Sequence, residues 1–380
     1  MNAKETLAHL VRIDSVSSHS NLEIISFLAS RCEALGLSVK RFPYADENGV
    51  EKTNLIALAG TDFSKATEVE LALVGHTDTV PFDPNWAEAL TLVERDGKLY
   101  GRGACDTKAF IAASLAAVEA IGLEQLRRPL ALIFTADEEV GLIGAKRLAE
   151  SRPLGARYSI VGEPTSLQPI RAGKGYCLAD IIVRGREGHS AYPALGASAI
   201  FRAARLVGRI ERIAEEVKPE QHQAFDPPYT TLNVGLIRGG TAKNVIPGEC
   251  RLTLEWRPIP GQRSDRVLDL LQRALAEVKV DKGYECEVAA SRADSGFETP
   301  VESQLVKTLE KLTGKQAGTV AFGTEAAQMN ALGAEAVVMG PGDIRTAHQT
   351  GEFVPIDELE QCARILEDAI ESFCRAQLPA

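Results

Sequence analysis

No basic tract, no apolar run approaching the ~20 residues needed to span a bilayer and no Cys-x-x-Cys pair occurs in this chain. The first absence, with 52 Asp and Glu against 42 Lys and Arg and a formal charge of −10, argues against nucleic acid and anionic membranes as partners. A small-molecule substrate fits better. The second excludes a transmembrane helix, and Met1-Asn2-Ala3-Lys4-Glu5-Thr6 carries no apolar signal core, so a cytoplasmic location is expected. The third removes a cysteine-rich zinc site. Seven scattered cysteines, an odd number, read as reduced thiols rather than a disulfide framework. Repeats, low-complexity tracts and extended linkers are also missing.

What is present is ordinary globular material. At 380 residues the chain exceeds the usual limit of one hydrophobic core, and 45% hydrophobic with 25% charged residues can build two. Apolar spacing predicts helices at Ala3–Val11 and from Leu22 to Leu35, and strands at Val39–Phe42 and Asn54–Ala59. A hairpin is expected at Leu90–Leu99, turning on Asp96-Gly97. A helix should follow from about Lys108 to Ala120.

Chemistry gathers where apolar runs stop. Leu71-Ala72-Leu73-Val74 ends in Gly75-His76-Thr77-Asp78, and period-two geometry puts His76 and Asp78 on one side if the strand persists. Such a pair suits a metal-bound imidazole beside a carboxylate, or simply a satisfied loop histidine. Leu130–Phe134 runs into Asp137-Glu138-Glu139, and Tyr158–Val161 into Gly162-Glu163-Pro164. Between them, Gly101-Arg102-Gly103-Ala104-Cys105-Asp106 places Asp106 before a helix, where it reads either as an N-cap or as a site residue. Cys105 is either a thiolate ligand or a small core residue. In a parallel sheet, residues beyond the strands' carboxyl ends face the ligand crevice, so these groups form the pattern of a metal centre built from adjacent strands.

After Pro169 the character changes. Strands at Gly175–Val183, Thr230–Ile237, Cys250–Trp256 and Tyr284–Ala289, with helices at Ala197–Val217 and Asp265–Lys279, give the β-α-β-β-α-β order of a ferredoxin-like unit. The expected architecture is therefore α/β. A doubly wound mixed sheet forms a catalytic domain (1–170 and 291–380), with an inserted ferredoxin-like α+β lid or dimerisation domain (171–290). The catalytic domain resumes with a helix at Ser303–Thr313, a strand at Ala336–Met339 and a closing helix from Ile356 to about Phe373.

In order and spacing, Gly75–Pro81, Gly101–Lys108, Asp137–Gly141, Gly162–Thr165 and Ala347-His348-Gln349 resemble the dinuclear zinc amidohydrolases of the aminoacylase and glutamate-carboxypeptidase family. The resemblance spans the whole chain. It implies that His76, Asp106 and Glu163 hold one Zn²⁺ while Asp106, Glu139 and His348 hold the other, with Co²⁺ or Mn²⁺ as substitutes. It also implies Glu138 as general base and Asp78 as a supporting carboxylate. His189, in Gly188-His189-Ser190-Ala191, matches the family histidine that stabilises an oxyanion, often across a dimer. As a bare residue it could be a loop histidine. Asn244 is a candidate substrate contact or a turn former, and Arg257 a carboxylate fork or a structural ion pair. Gly323-Thr324-Glu325-Ala326 resembles the branch acting on acetylated ornithine, so Glu325 is expected either to meet the ornithine ammonium or to cap a helix. The arginine that follows the corresponding segment in desuccinylating relatives is absent. The resemblance thus implies hydrolysis of an N-acyl amino acid, first N²-acetyl-L-ornithine. Alternatives are acetylcitrulline, N-acetyl-lysine, succinyl-diaminopimelate, dipeptides or a catalytically silent homologue, with a homodimer through the inserted domain.

Overall fold

The computed structural model describes residues 1–65, 67–278 and 285–375, and they divide into two compact units. The first contains Met1–Arg171, Glu298–Gly318 and Thr324–Ala380; the second contains Ala172–Phe297 and Thr319–Gly323. The return crossing thus falls later than the expected 290/291. The reason is that the strand Glu285–Asp294 runs on through the second unit's sheet. Of the expected elements, Lys279 and Tyr284 lie outside the described residues.

The first unit is built on strands in the order Ser38–Ala45, Glu51–Ala59, Leu130–Thr135, Glu68–His76, Gly155–Val161 and Glu335–Val338. The last four run parallel, and the first two join antiparallel at one edge. Both faces of the sheet are covered, as continuous apolar strands require. Leu55, Ala57, Leu71, Leu73, Leu130, Leu132, Ile160 and Val337 pack into one core with the helices Ala3–Arg12, Leu22–Ala34, Lys108–Ile121 and Ile356–Ile370. The alternate residues Ile56, Ala72, Val74, Ile133, Val161 and Val338 are equally buried but outside that core. They point to the opposite face by the period of two. Helix Ala326–Ala331 packs there on two of the strands and on Ile143–Ser151. These two helices are absent from the sequence reading. Each is short, and their apolar signal is carried by a few buried residues such as Ala145, Leu148 and Met329.

The expected hairpin forms as Val93–Arg95 paired with Lys98–Tyr100, with Asp96 at φ 49° and Gly97 at φ 72°, the left-handed pair a two-residue turn requires. In the second unit the strand order Thr231–Gly239, Glu249–Arg257, Tyr176–Arg184, Glu285–Asp294 is antiparallel throughout. This is the ferredoxin-like arrangement. Alternation of buried and half-buried residues along Tyr176–Arg184 and Glu249–Arg257 points Cys177, Ala179, Ile181, Val183, Leu252, Leu254 and Trp256 at one core. Ala199, Ala203, Leu206, Ile210, Ile213 and Val217 close that core at helical three- and four-residue spacing.

Candidate active site

Parallel pairing brings the strand-end residues to one edge of the first unit. His76 lies in register with Thr135, so Asp137, Glu138 and Glu139 emerge beside it. Val161 pairs with Val74, and Gly162 donates its N–H to the Val74 carbonyl at 2.8 Å, which carries Glu163 to the same edge. Residue 162 has to be glycine: a Cβ there would stand 2.2 Å from the Phe110 ring. Asp106 arrives from the turn before Lys108–Ile121. Thr107, not Asp106, is the N-cap of that helix, so the capping alternative for Asp106 falls.

The groups converge closely. His76 Nε2 is 3.0 Å from Asp106 Oδ1, while His348 Nε2 is 3.1 Å from Asp106 Oδ2 and 2.9 Å from Glu139 Oε1. The two oxygens of Asp106 therefore face two different histidines. Donor atoms of His76, Asp106 and Glu139 all lie within 4.8 Å of one another. Glu163 is buried alongside, and Glu138, half-buried, follows Asp137 in the same turn. His348 takes φ 60° and Asp137 φ 57°, left-handed conformations that cost energy outside glycine and tend to mark functional sites.

Such a concentration of acids is electrostatically unfavourable without cations. Burial and neighbouring carboxylates push Glu163 and Glu138 well above the ordinary carboxyl range, and burial raises Glu139. Burial would raise Asp106 too, but hydrogen bonds from His348 and His76 outweigh it and hold Asp106 low. Reciprocally, the bonds to Asp106 and Glu139 lift His348 to about 10. Protonated histidines are thus supplying positive charge that divalent cations could supply instead. Mixed imidazole and carboxylate donors, with one carboxylate able to bridge, suit two such ions of the zinc type, so the residues fit a dinuclear centre.

A set of buried bonds pins this edge in place. Asp78 was expected as a supporting carboxylate; His76 Nδ1 sits 3.0 Å from the Asp78 main-chain carbonyl and 3.7 Å from Oδ1. The Asp78 carboxylate serves the acidic turn. It accepts from Glu138 N at 3.1 Å, Glu139 N at 3.3 Å and Ser17 Oγ at 2.7 Å. Asp137 pairs with Lys52 at 2.9 Å, both side chains 1% exposed, and accepts from Tyr44 Oη at 2.8 Å. Lys52 also donates to the carbonyls of Ser17 and His19, and Asn54 Oδ1 accepts from Ala136 N. Ser17, Lys52 and Asn54 were not singled out from sequence. Lys52 and Asn54 lie in the polar start of the strand, Glu51-Lys52-Thr53-Asn54, ahead of its apolar run Leu55–Ala59, and carry no local signal of burial.

Glu325 is 1% exposed and makes no side-chain cap on Ala326–Ala331. Burial raises it to about 7, with Thr135, His76 and Asp78 as its electrostatic neighbours. The capping alternative for Glu325 thus falls, and its side chain is buried near His76, Thr135 and Asp78.

The second unit brings His189 and Asn244 together. Gly188–His189 pairs with Val245–Ile246, and Ser190 N donates to the Asn244 carbonyl at 3.0 Å. His189 Nδ1 accepts from Ala191 N at 3.1 Å, which leaves Nε2 as the protonated, outward donor. Arg257 donates Nε to Glu255 at 2.8 Å and Nη1 to the Ala321 carbonyl at 3.1 Å, and stacks over Tyr176. The ion-pair alternative for Arg257 is thus realised, with part of its fork left over.

A model of peptidase family M20/M25/M40 matches residues 72–372. The acetylornithine deacetylase of Myxococcus xanthus is 52% identical over 98% of this chain and 97% of its own length. The acetylornithine deacetylase of Proteus mirabilis (strain HI4320) is 38% identical over 96% and 93%. Among solved structures, a tripeptidase from Staphylococcus aureus matches with a TM-score of 0.77 at 26% identity, covering 99% of this chain and 98% of that one.

Proposed function

Because this chain belongs to peptidase family M20/M25/M40, we propose that its strand-end cluster is a two-zinc centre that hydrolyses N²-acetyl-L-ornithine to ornithine and acetate. The observation that carries the substrate is the near-full-length likeness to a protein named acetylornithine deacetylase. Ornithine as product puts the reaction in arginine biosynthesis, and seven free cysteines accord with a cytoplasmic setting. Among the described residues no helix is long and apolar enough to cross a membrane.

His76, Asp106 and Glu163 hold one ion, and Asp106, Glu139 and His348 the other, with cobalt or manganese as substitutes. When bound, the pair of ions polarises the scissile carbonyl and makes a water nucleophile available at neutral pH. Glu138 takes the proton of the attacking water and returns it to the departing amine nitrogen. Its amide is held by Asp78, which fixes the main chain and leaves the carboxylate for the reaction. His189 donates Nε2–H to the developing oxyanion. Asn244 hydrogen-bonds the substrate, and the remaining fork of Arg257 receives its α-carboxylate. Glu325 meets the side-chain ammonium of the substrate, and its charge adds to the rise of the Glu138 carboxyl.

A second copy of the chain is the expected partner of the inserted domain. Phe201, Leu195, Tyr192, Leu236 and Ile237 are 72%, 65%, 62%, 55% and 54% exposed. Leu236 and Ile237 lie on Thr231–Gly239, an edge strand of that sheet. Exposed apolar residues on an open edge are what a paired interface covers.

A substrate panel tests the reading. In zinc-loaded protein, kcat/KM for N²-acetylornithine should exceed that for acetylcitrulline, acetyl-lysine, succinyl-diaminopimelate and dipeptides. Preference for another member would discard the substrate and keep the chemistry.

A further inference from the structure

Glu352 takes no part in the chemistry assigned above, yet it is 0% exposed. A carboxylate removed from water needs donors on both oxygens. Here one oxygen meets Arg102, with Nη1 at 2.5 Å from Oε2. The other, Oε1, accepts two successive main-chain amides, Cys105 N at 2.9 Å and Asp106 N at 3.0 Å. Arg102 is itself fixed: its Nη2 donates to the Pro81 carbonyl at 3.2 Å and its guanidinium lies over Trp86. The Glu352 carbonyl accepts from Gly101 N at 3.0 Å, so side chain and main chain grip the same loop. Glu352 also follows His348 by four residues. One buried residue therefore ties the segment carrying His348 to the loop carrying Asp106.

We propose that Glu352, anchored by Arg102, is a positioning residue of the metal centre: it holds the Asp106 main chain so that the two carboxylate oxygens stay aimed at two different histidines. The inference rests on reading Asp106 as the bridging ligand. Asp106 has a short side chain with two torsions, so fixing its amide largely fixes where its oxygens can reach. In the loop before it, Arg102 N donates to the Ala89 carbonyl and Ala104 N to that of Gly101, so the amides of Cys105 and Asp106 are the ones that fall to Glu352. Because a bridging carboxylate serves both ions, loosening it weakens both sites together. A buried ion pair with a purely structural role would instead lower stability and leave metal affinity alone.

The test compares the full chain with Glu352→Gln and Arg102→Lys, each stripped of metal and titrated with zinc against a chromophoric chelator. Glu352→Gln keeps volume and one acceptor for the amides but turns amide hydrogens towards Arg102. Arg102→Lys keeps the charge and removes the fork. We expect affinity for both ions to fall about 10- to 100-fold in Glu352→Gln, the range typical of residues that orient ligands, with a smaller fall in Arg102→Lys. At saturating zinc, kcat should recover while the zinc requirement stays raised. Wild-type affinity for both ions in a variant whose melting temperature has dropped would overturn the proposal and leave a structural ion pair. If Glu352→Gln does not fold, Arg102→Lys decides between the same two results. Failure of the wild-type chain to bind zinc would overturn the metal reading itself, and the inference with it.

Discussion

The acidic turn after Leu130–Thr135 and the polar turn around His189 and Asn244 are secured in opposite ways. In the first, Ala136, Asp137, Glu138 and Glu139 are each gripped by a buried partner, Asn54, Lys52 or Asp78, with the half-buried Tyr44 adding a bond to Asp137. In the second, His189 stands exposed on a two-residue ladder, with main-chain bonds and the Tyr192 ring as its company. The difference follows from charge. A cluster of carboxylates out of water holds its geometry only if every neighbouring polar group is matched, whereas a single donor to substrate needs exposure and freedom to approach. Substitutions should therefore separate the two regions by what they damage.

The largest effect is expected at the base. Glu138→Ala should lower kcat about 10²- to 10⁴-fold, measured by acetate release, with zinc content unchanged. Next, Lys52→Met leaves Asp137 as an uncompensated buried charge and should cost about 3–5 kcal/mol in urea unfolding. On the other turn, Lys243→Met at an exposed position should change stability by no more than about 0.5 kcal/mol. Equal losses in the two would remove the contrast. His189→Ala should lower kcat about 10²- to 10³-fold, with wild-type melting temperature and metal content. A melting temperature that fell with the activity would make His189 a structural residue.

The smallest effect is in pH. In metal-free protein His348 is raised from 6.5 to about 10 by its bonds to Asp106 and Glu139. A raised histidine stabilises fully below its unfolded value, so this contribution is present below pH 6.5 and is lost as pH rises towards about 10. Zinc affinity should run the other way, rising over that window as the bound proton leaves. Unfolding of chelated protein from pH 6 to 10, beside zinc titrations at the same pH values, checks both signs.

The same contrast explains what the sequence made legible. His76 and Glu139 stood out because they follow apolar runs, Asp106 and His348 became ligands only through the family resemblance, and the structure brings the four together. The ferredoxin-like unit was readable from its β-α-β-β-α-β order of elements, and burial alternates along its long strands. Less legible were residues whose role depends on partners far along the chain. Glu352 reaches Asp106 across 246 positions and Arg102 across 250, and no local periodicity announces either bond. Asp78 was placed correctly beside His76, but which of its oxygens met the ring was a matter of main-chain path. Glu325 was left between a helix cap and a substrate contact, because its burial beside Thr135 depends on residues far along the chain.

The central claim is that the strand-end cluster works as a metal centre, and the most direct measurement is acetate release from N²-acetylornithine by chelator-stripped protein during stepwise return of zinc. The account predicts negligible turnover when stripped and full recovery as occupancy approaches two ions per chain. Wild-type kcat/KM in protein shown to be free of metal would contradict it.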